Sequence, residues 1–167
     1  MDTSTITNPE AQAFINQFLR DRAVNRKFYE LVPEDKYDYR MVDTPSRKSD
    51  SVRESITHQI DTERDYLNAA KTGEMKFGVT YEDLSNSLPK DRLLTLLQES
   101  DNQLIEILSA EDIGTKKVKV PWSSEPVPAI SSLWALDSHE ILHQGWNLAV
   151  MDHLNIERFA ELKEMWG

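Results

Sequence analysis

The sequence predicts an all-α fold: a four-helix bundle with long crossover connections and a short C-terminal helix. Three observations carry this. Apolar residues recur at helical spacing in four long stretches. Only 5 of the 167 residues are Gly. Proline or glycine marks each connection between the stretches. A chain of 167 residues suits one hydrophobic core, so residues 1–167 are read as a single domain.

The first helix is predicted to start at Asn8, an N-cap followed by Pro9 at the first helical position and Glu10 near the positive helix end. Phe14, Ile15, Phe18, Leu19, Phe28 and Leu31 keep helical spacing until Pro33. Residues 32–50, with Pro33 and Pro45, read as an irregular connection. Ser51 and Glu54 have capping-box spacing for a second helix, its cap at Ser51 or one or two residues earlier, that runs to Lys71, with Gly73 just beyond it. Residues 72–88 carry no clear period and form a long connection. Helix three begins near Pro89 on a stripe of Leu93, Leu94, Leu97, Leu104, Ile105 and Leu108, and Gly114 closes that region. Val118, Val120 and Trp122 alternate in an extended segment. Pro126 and Pro128 then precede a fourth helix from about Ala129 to His153, and a short helix is expected around Glu157 to Met165.

Composition narrows the chemistry. There is no Cys, so a thiolate nucleophile and Cys-ligated zinc are excluded, and any metal must be held by His, Asp or Glu. The net charge of −10, with basic residues scattered along the chain, argues against a nucleic-acid partner. No apolar run approaches the roughly 18 residues of a membrane span. The start, MDTSTITNPE, has neither the basic residues nor the apolar stretch of a secretory signal, which makes the cytoplasm the expected compartment.

The four histidines hold the most information. His139 and His143 are four residues apart on helix four, which places their Cβ atoms roughly 5–6 Å apart on one face. At 100° per residue both fall in an arc with Ala135, Leu136, Leu142, Trp146 and Val150, so the pair is expected to point into the core. Chance placement of four His yields such a pair with a probability of roughly 0.07, and buried imidazoles without partners are costly. A metal ion satisfies one nitrogen of each ring. Sites of the catalytic zinc type use three protein ligands, and His58 is the candidate third. It lies on a strip of small residues, Ser51, Ser55, Thr62 and Ala69, beside the apolar stripe of helix two. His153 is about 15 Å farther along helix four than His143 and reads as a helix-end or surface residue.

With these residues in place, a family pattern emerges. The segments SVRESITHQIDTERDYL around His58, DSHEILHQGWN around His139 and His143, and LVPEDKYDYR before Pro45 resemble the DinB/YfiT-like superfamily. Its members are four-helix bundles with one His on the second helix and a His-x-x-x-His pair on the last long helix. That pair is often followed two residues later by Gly, here Gly145. The resemblance runs from about Phe14 to Trp146. It implies one divalent metal ion, such as zinc or nickel, at His58, His139 and His143. It also implies, as in several members, transfer of a low-molecular-weight thiol to a small-molecule electrophile.

The same residues match H-E-x-x-H, in which a metalloprotease uses the Glu as general base. The longer form of that motif needs Gly three residues after the second His, whereas Gly145 is only two residues on, and nothing upstream reads as a substrate-aligning sheet. Glu140 is therefore read either as a general base or support for the metal ligands, or as a carboxylate at the helix edge. The expected function is a metal-dependent thiol S-transferase. A hydrolase that activates water and a non-catalytic, metal-stabilised bundle are the alternatives. A second apolar strip on helix four, Ile130, Trp134, Ile141 and Leu148, either covers other helices of the same chain or forms a two-fold interface with a second copy, and a homodimer is the expectation.

Overall fold

Asn8 Oδ1 accepts from the backbone N–H groups of Glu10 and Ala11 at 3.0 Å each. Helix α1 follows as Pro9–Leu31 in the computed structural model, which describes residues 2–166. Ser51 and Glu54 form the reciprocal capping box that starts α2, Val52–Thr72. Gly73 ends it at φ 82°, a left-handed conformation that suits a residue without Cβ. α3 spans Lys90–Leu108, α4 Ala129–Leu154 and α5 Ala160–Trp166. α3 stops before Gly114 because Ser109 caps it, its hydroxyl bonding the Ile105 carbonyl at 2.8 Å.

The connections carry short extended pieces. β1, Asp43–Thr44, pairs with β2, Arg47–Lys48, between α1 and α2. β3, Lys117–Val118, pairs antiparallel with β4, Val127–Pro128, before α4. Val118 and Val120 are buried while Trp122 is exposed. Lys119 ties this segment to the end of α2, bonding Gly73 and Met75 at 2.8 Å each.

α1 packs mainly on α4 and α2 on α3, with α2–α4 and α1–α3 contacts completing the ring. Consecutive helices α1 and α2 therefore lie across a diagonal, as do α3 and α4. Two apolar clusters fill the bundle. Phe14, Phe18, Leu67, Leu104 and Leu133 belong to one, and Phe28, Ile56, Ile60, Leu97 and Val150 to the other. α1 and α4 run from the first cluster to the second, whereas α2 and α3 run the opposite way, so residues 73–89 must return along the length of the bundle. That is the physical need behind the long crossover expected there.

Between the clusters lies a polar layer with one ionisable side chain from each main helix. Arg22 of α1 meets Glu63 of α2 at 2.8 Å, Asp101 of α3 at 3.2 Å and Glu140 of α4 at 3.2 Å, all fully buried. The second apolar strip of α4 is largely used inside the chain. Ile130 is in the core, Leu148 packs on the second cluster, and Trp134 meets Phe14 edge-on at 5.4 Å. The strip expected for a second copy is thus not a continuous free face. Among the described residues no helix is long and apolar enough to cross a membrane.

Candidate metal centre

α2 and α4 bring His58, His139 and His143 together, and one nitrogen from each lies within 4.8 Å of the others. His139 Nε2 is 3.1 Å from His58 Nε2 and 3.3 Å from His143 Nε2. A tetrahedral zinc with nitrogens at roughly 2.0–2.1 Å sets them about 3.3–3.4 Å apart, so the convergence matches one ion's ligand set. Burial, then the neighbouring His58, pushes His139 down to about 4. Burial, then His139 and His58, pushes His143 down to about 3. Both rings are neutral at pH 7 and present lone pairs without a proton to displace. Three imidazoles with no thiolate suit ions of the zinc and nickel kind.

The supporting contacts are unequal. His143 Nδ1 lies 2.9 Å from Ser55 Oγ, which lies 3.0 Å from the Tyr29 hydroxyl. Tyr29 in turn supplies its backbone carbonyl to the Tyr37 hydroxyl at 2.7 Å. Burial holds Tyr29 well above the usual phenol range, so its hydroxyl stays protonated. With Nε2 turned to the other imidazoles, Nδ1 of His143 carries the proton and donates it to Ser55. His139 Nδ1 is buried and has no hydrogen-bond partner among the described residues.

The histidine pair does not face the centre of the core as the apolar arc suggested. Leu142, in that arc, is 73% exposed, and the buried face of α4 passes instead through Asp137, Glu140, Gln144 and Asn147. α4 has apolar residues on every side, so its hydrophobic period did not single out one face. The His pair sits at the edge of that face, half-buried, and His58 opposite is exposed. This leaves the cluster open to a groove of about 250 Å³ whose lining includes Asp50, Ser55, Leu142 and Trp146.

Glu140 is neither a helix-edge carboxylate nor a base at the cluster. It is fully buried, accepts from Asn25 Nδ2 at 2.8 Å and pairs with Arg22, inside the bundle. That removes the base which H-E-x-x-H chemistry needs. His153 lies apart, its Nδ1 3.1 Å from the hydroxyl of the half-buried Tyr39. Sequence reasoning missed the partners of Glu140, although Arg22, Glu63 and Asp101 each stand where the apolar stripe of their helix should continue. Ser55, three residues before His58 on the same face, was readable as a neighbour but not as the partner of His143.

The model of the DinB superfamily matches residues 17–146, a span that includes all three histidines and the whole polar layer. The chain belongs to the DinB superfamily. Comparison with the curated proteins finds no match. Within the DinB bundle the cluster can hold one metal ion, with two ligands on α4 and one on α2.

Proposed function

We propose that this DinB-superfamily chain is a metal-dependent thiol S-transferase, with zinc or nickel held by His58, His139 and His143. The convergence of three imidazoles at the mouth of an open groove carries the reading. The chain has no Cys, so the sulfur must arrive on a small cosubstrate. A divalent ion in this site lowers the pKa of a thiol or water that reaches it.

The side chains define the remaining roles. Ser55, backed by Tyr29, fixes the ring of His143, and burial keeps both α4 imidazoles neutral. Asp50 is the carboxylate among the residues that line the groove, and it takes the proton lost from the thiol. The sulfur electron pair forms a bond to carbon, and the leaving group departs with its own pair. With an epoxide, the ring C–O bond breaks and its oxygen takes up a proton.

The test is a panel of low-molecular-weight thiols with a chromogenic aryl halide or an epoxide. Turnover is expected with metal-replete protein and is lost with chelator or in His143→Ala. Metal-replete protein that turns over none of these pairs overturns the proposal, and ester hydrolysis under the same conditions moves the assignment to a hydrolase.

A further inference from the structure

A second groove, about 480 Å³ in volume, opens beside His58 and His139. Tyr66 of α2, Phe77 of the α2–α3 connection, and Ala135 and Leu142 of α4 form its apolar wall. Trp122 extends that wall, its ring 6.2 Å from Phe77 and 6.4 Å from Tyr66, with planes inclined by 31° and 37°. Phe77 and Trp122 are each 52% exposed, and Leu142 is 73% exposed. A soluble surface gains nothing from gathering four large apolar side chains around one concavity unless something covers them. The volume lies within the usual ligand range of roughly 300–1,000 Å³.

The lining also indicates the chemistry of the occupant. Apart from His58 and His139, it contains no ionisable side chain except the Tyr66 phenol, which burial holds above its ordinary range. The adjoining groove of about 500 Å³ on the other side of His58 contains Asp50, Glu54 and Asp61 instead. A charged group in the aromatic groove would lose water and gain no partner. A flat uncharged ring finds three rings to stack on or meet edge-on.

We infer that this groove is the acceptor subsite, holding the uncharged aryl group of the electrophile beside His58 and His139, with Phe77 and Leu142 setting the preference. The inference rests on the transferase reading for the identity of the occupant. Its physical content is aromatic selectivity next to the histidine cluster. Phe77 and Leu142 are exposed, so truncating them leaves the core intact.

The experiment uses protein loaded with cobalt(II) and the probes 2-phenylethanethiol, 2-cyclohexylethanethiol and ethanethiol, read by the sulfur-to-cobalt charge-transfer band. The phenyl probe is expected to bind at least tenfold more tightly than ethanethiol and more tightly than the cyclohexyl probe. In Phe77→Ala/Leu142→Ser the preference should fall below threefold at unchanged cobalt content. Equal affinities with the band present overturn the groove assignment and leave the transferase reading standing. If no thiol produces a band, the transferase reading falls. Quenching of Trp fluorescence by 1-naphthol in metal-free protein then decides the groove, with a loss in Trp122→Phe supporting it and no quenching overturning it. A species of twice 19.3 kDa that disappears in the double variant shows that a second copy covers the patch, which also overturns the inference.

Discussion

Ser55 shows how much of the candidate site depends on a residue that touches no ion. Its hydroxyl bridges His143 Nδ1 and the Tyr29 hydroxyl, so it sets both the tautomer and the orientation of one ligand ring. Ser55→Ala is expected to weaken metal binding by about 10–100-fold, the usual effect of losing such a partner, at nearly unchanged helix content. Competition with a chromogenic chelator measures it, and wild-type affinity would remove Ser55 from the site. His58→Ala, His139→Ala and His143→Ala should each lose the ion, while His153→Ala keeps one per chain. Elemental analysis checks this, and equal metal in wild type and His139→Ala would refute the ligand set. At this scale the three histidines were legible because spacing and a helical period are local properties. The role of Glu140 was not, because only Arg22 and Asn25, more than a hundred residues away in sequence, reveal which way its carboxylate turns.

Among the elements, the cap of α1 was legible to the residue and that of α2 to within one or two positions, because an N-cap depends on side chains within three positions of it. The start of α1 has one remote dependence that local reading cannot see. A Cβ built on Gly114 would lie 2.5 Å from Asn8 Nδ2, so Gly114→Ala must move the side chain that caps α1. Gly114→Ala is expected to cost about 1 kcal/mol, the value of one cap, and close to nothing further in an Asn8→Ala background. Urea denaturation of the two single variants and the double variant tests it. Additive losses would show that Gly114 acts elsewhere. α4 was the least legible helix in orientation. Its apolar residues surround the axis, and the choice of face falls to the polar groups that must find partners inside.

Over the whole molecule, the bundle class was legible from four periodic stretches, but the division of its core into two apolar clusters by a charged layer was not. That division depends on which helices become neighbours, and the diagonal placement of consecutive helices is a tertiary fact. Removing Arg22 leaves three carboxylates from three helices facing one another, so Arg22→Met is expected to cost about 3–5 kcal/mol at neutral pH. The cost should be smaller at pH 5, where the carboxyls can protonate. Urea curves at both pH values measure it, and an equal loss at the two would discount the charge argument. Burial pushes Asp101 up to about 6 from its ordinary 3.8, so the folded state holds a proton there that the unfolded chain has released. Its contribution to stability is full below about pH 4 and is lost as pH rises through 6. Asp101→Asn should therefore gain stability relative to wild type as pH rises from 4 to 7, and a constant difference would contradict the sign. The split of the ligands between α2 and α4 has a further consequence. His58 and His139 are 81 residues apart, so an ion shared between them is a reversible cross-link closing a loop that spans nearly half of the chain. By the loop-entropy relation for covalent bridges, such a closure restricts the denatured ensemble by roughly 4–5 kcal/mol. In a protein with no Cys, resistance to heat and proteases should then follow metal supply and be indifferent to the redox state of its surroundings.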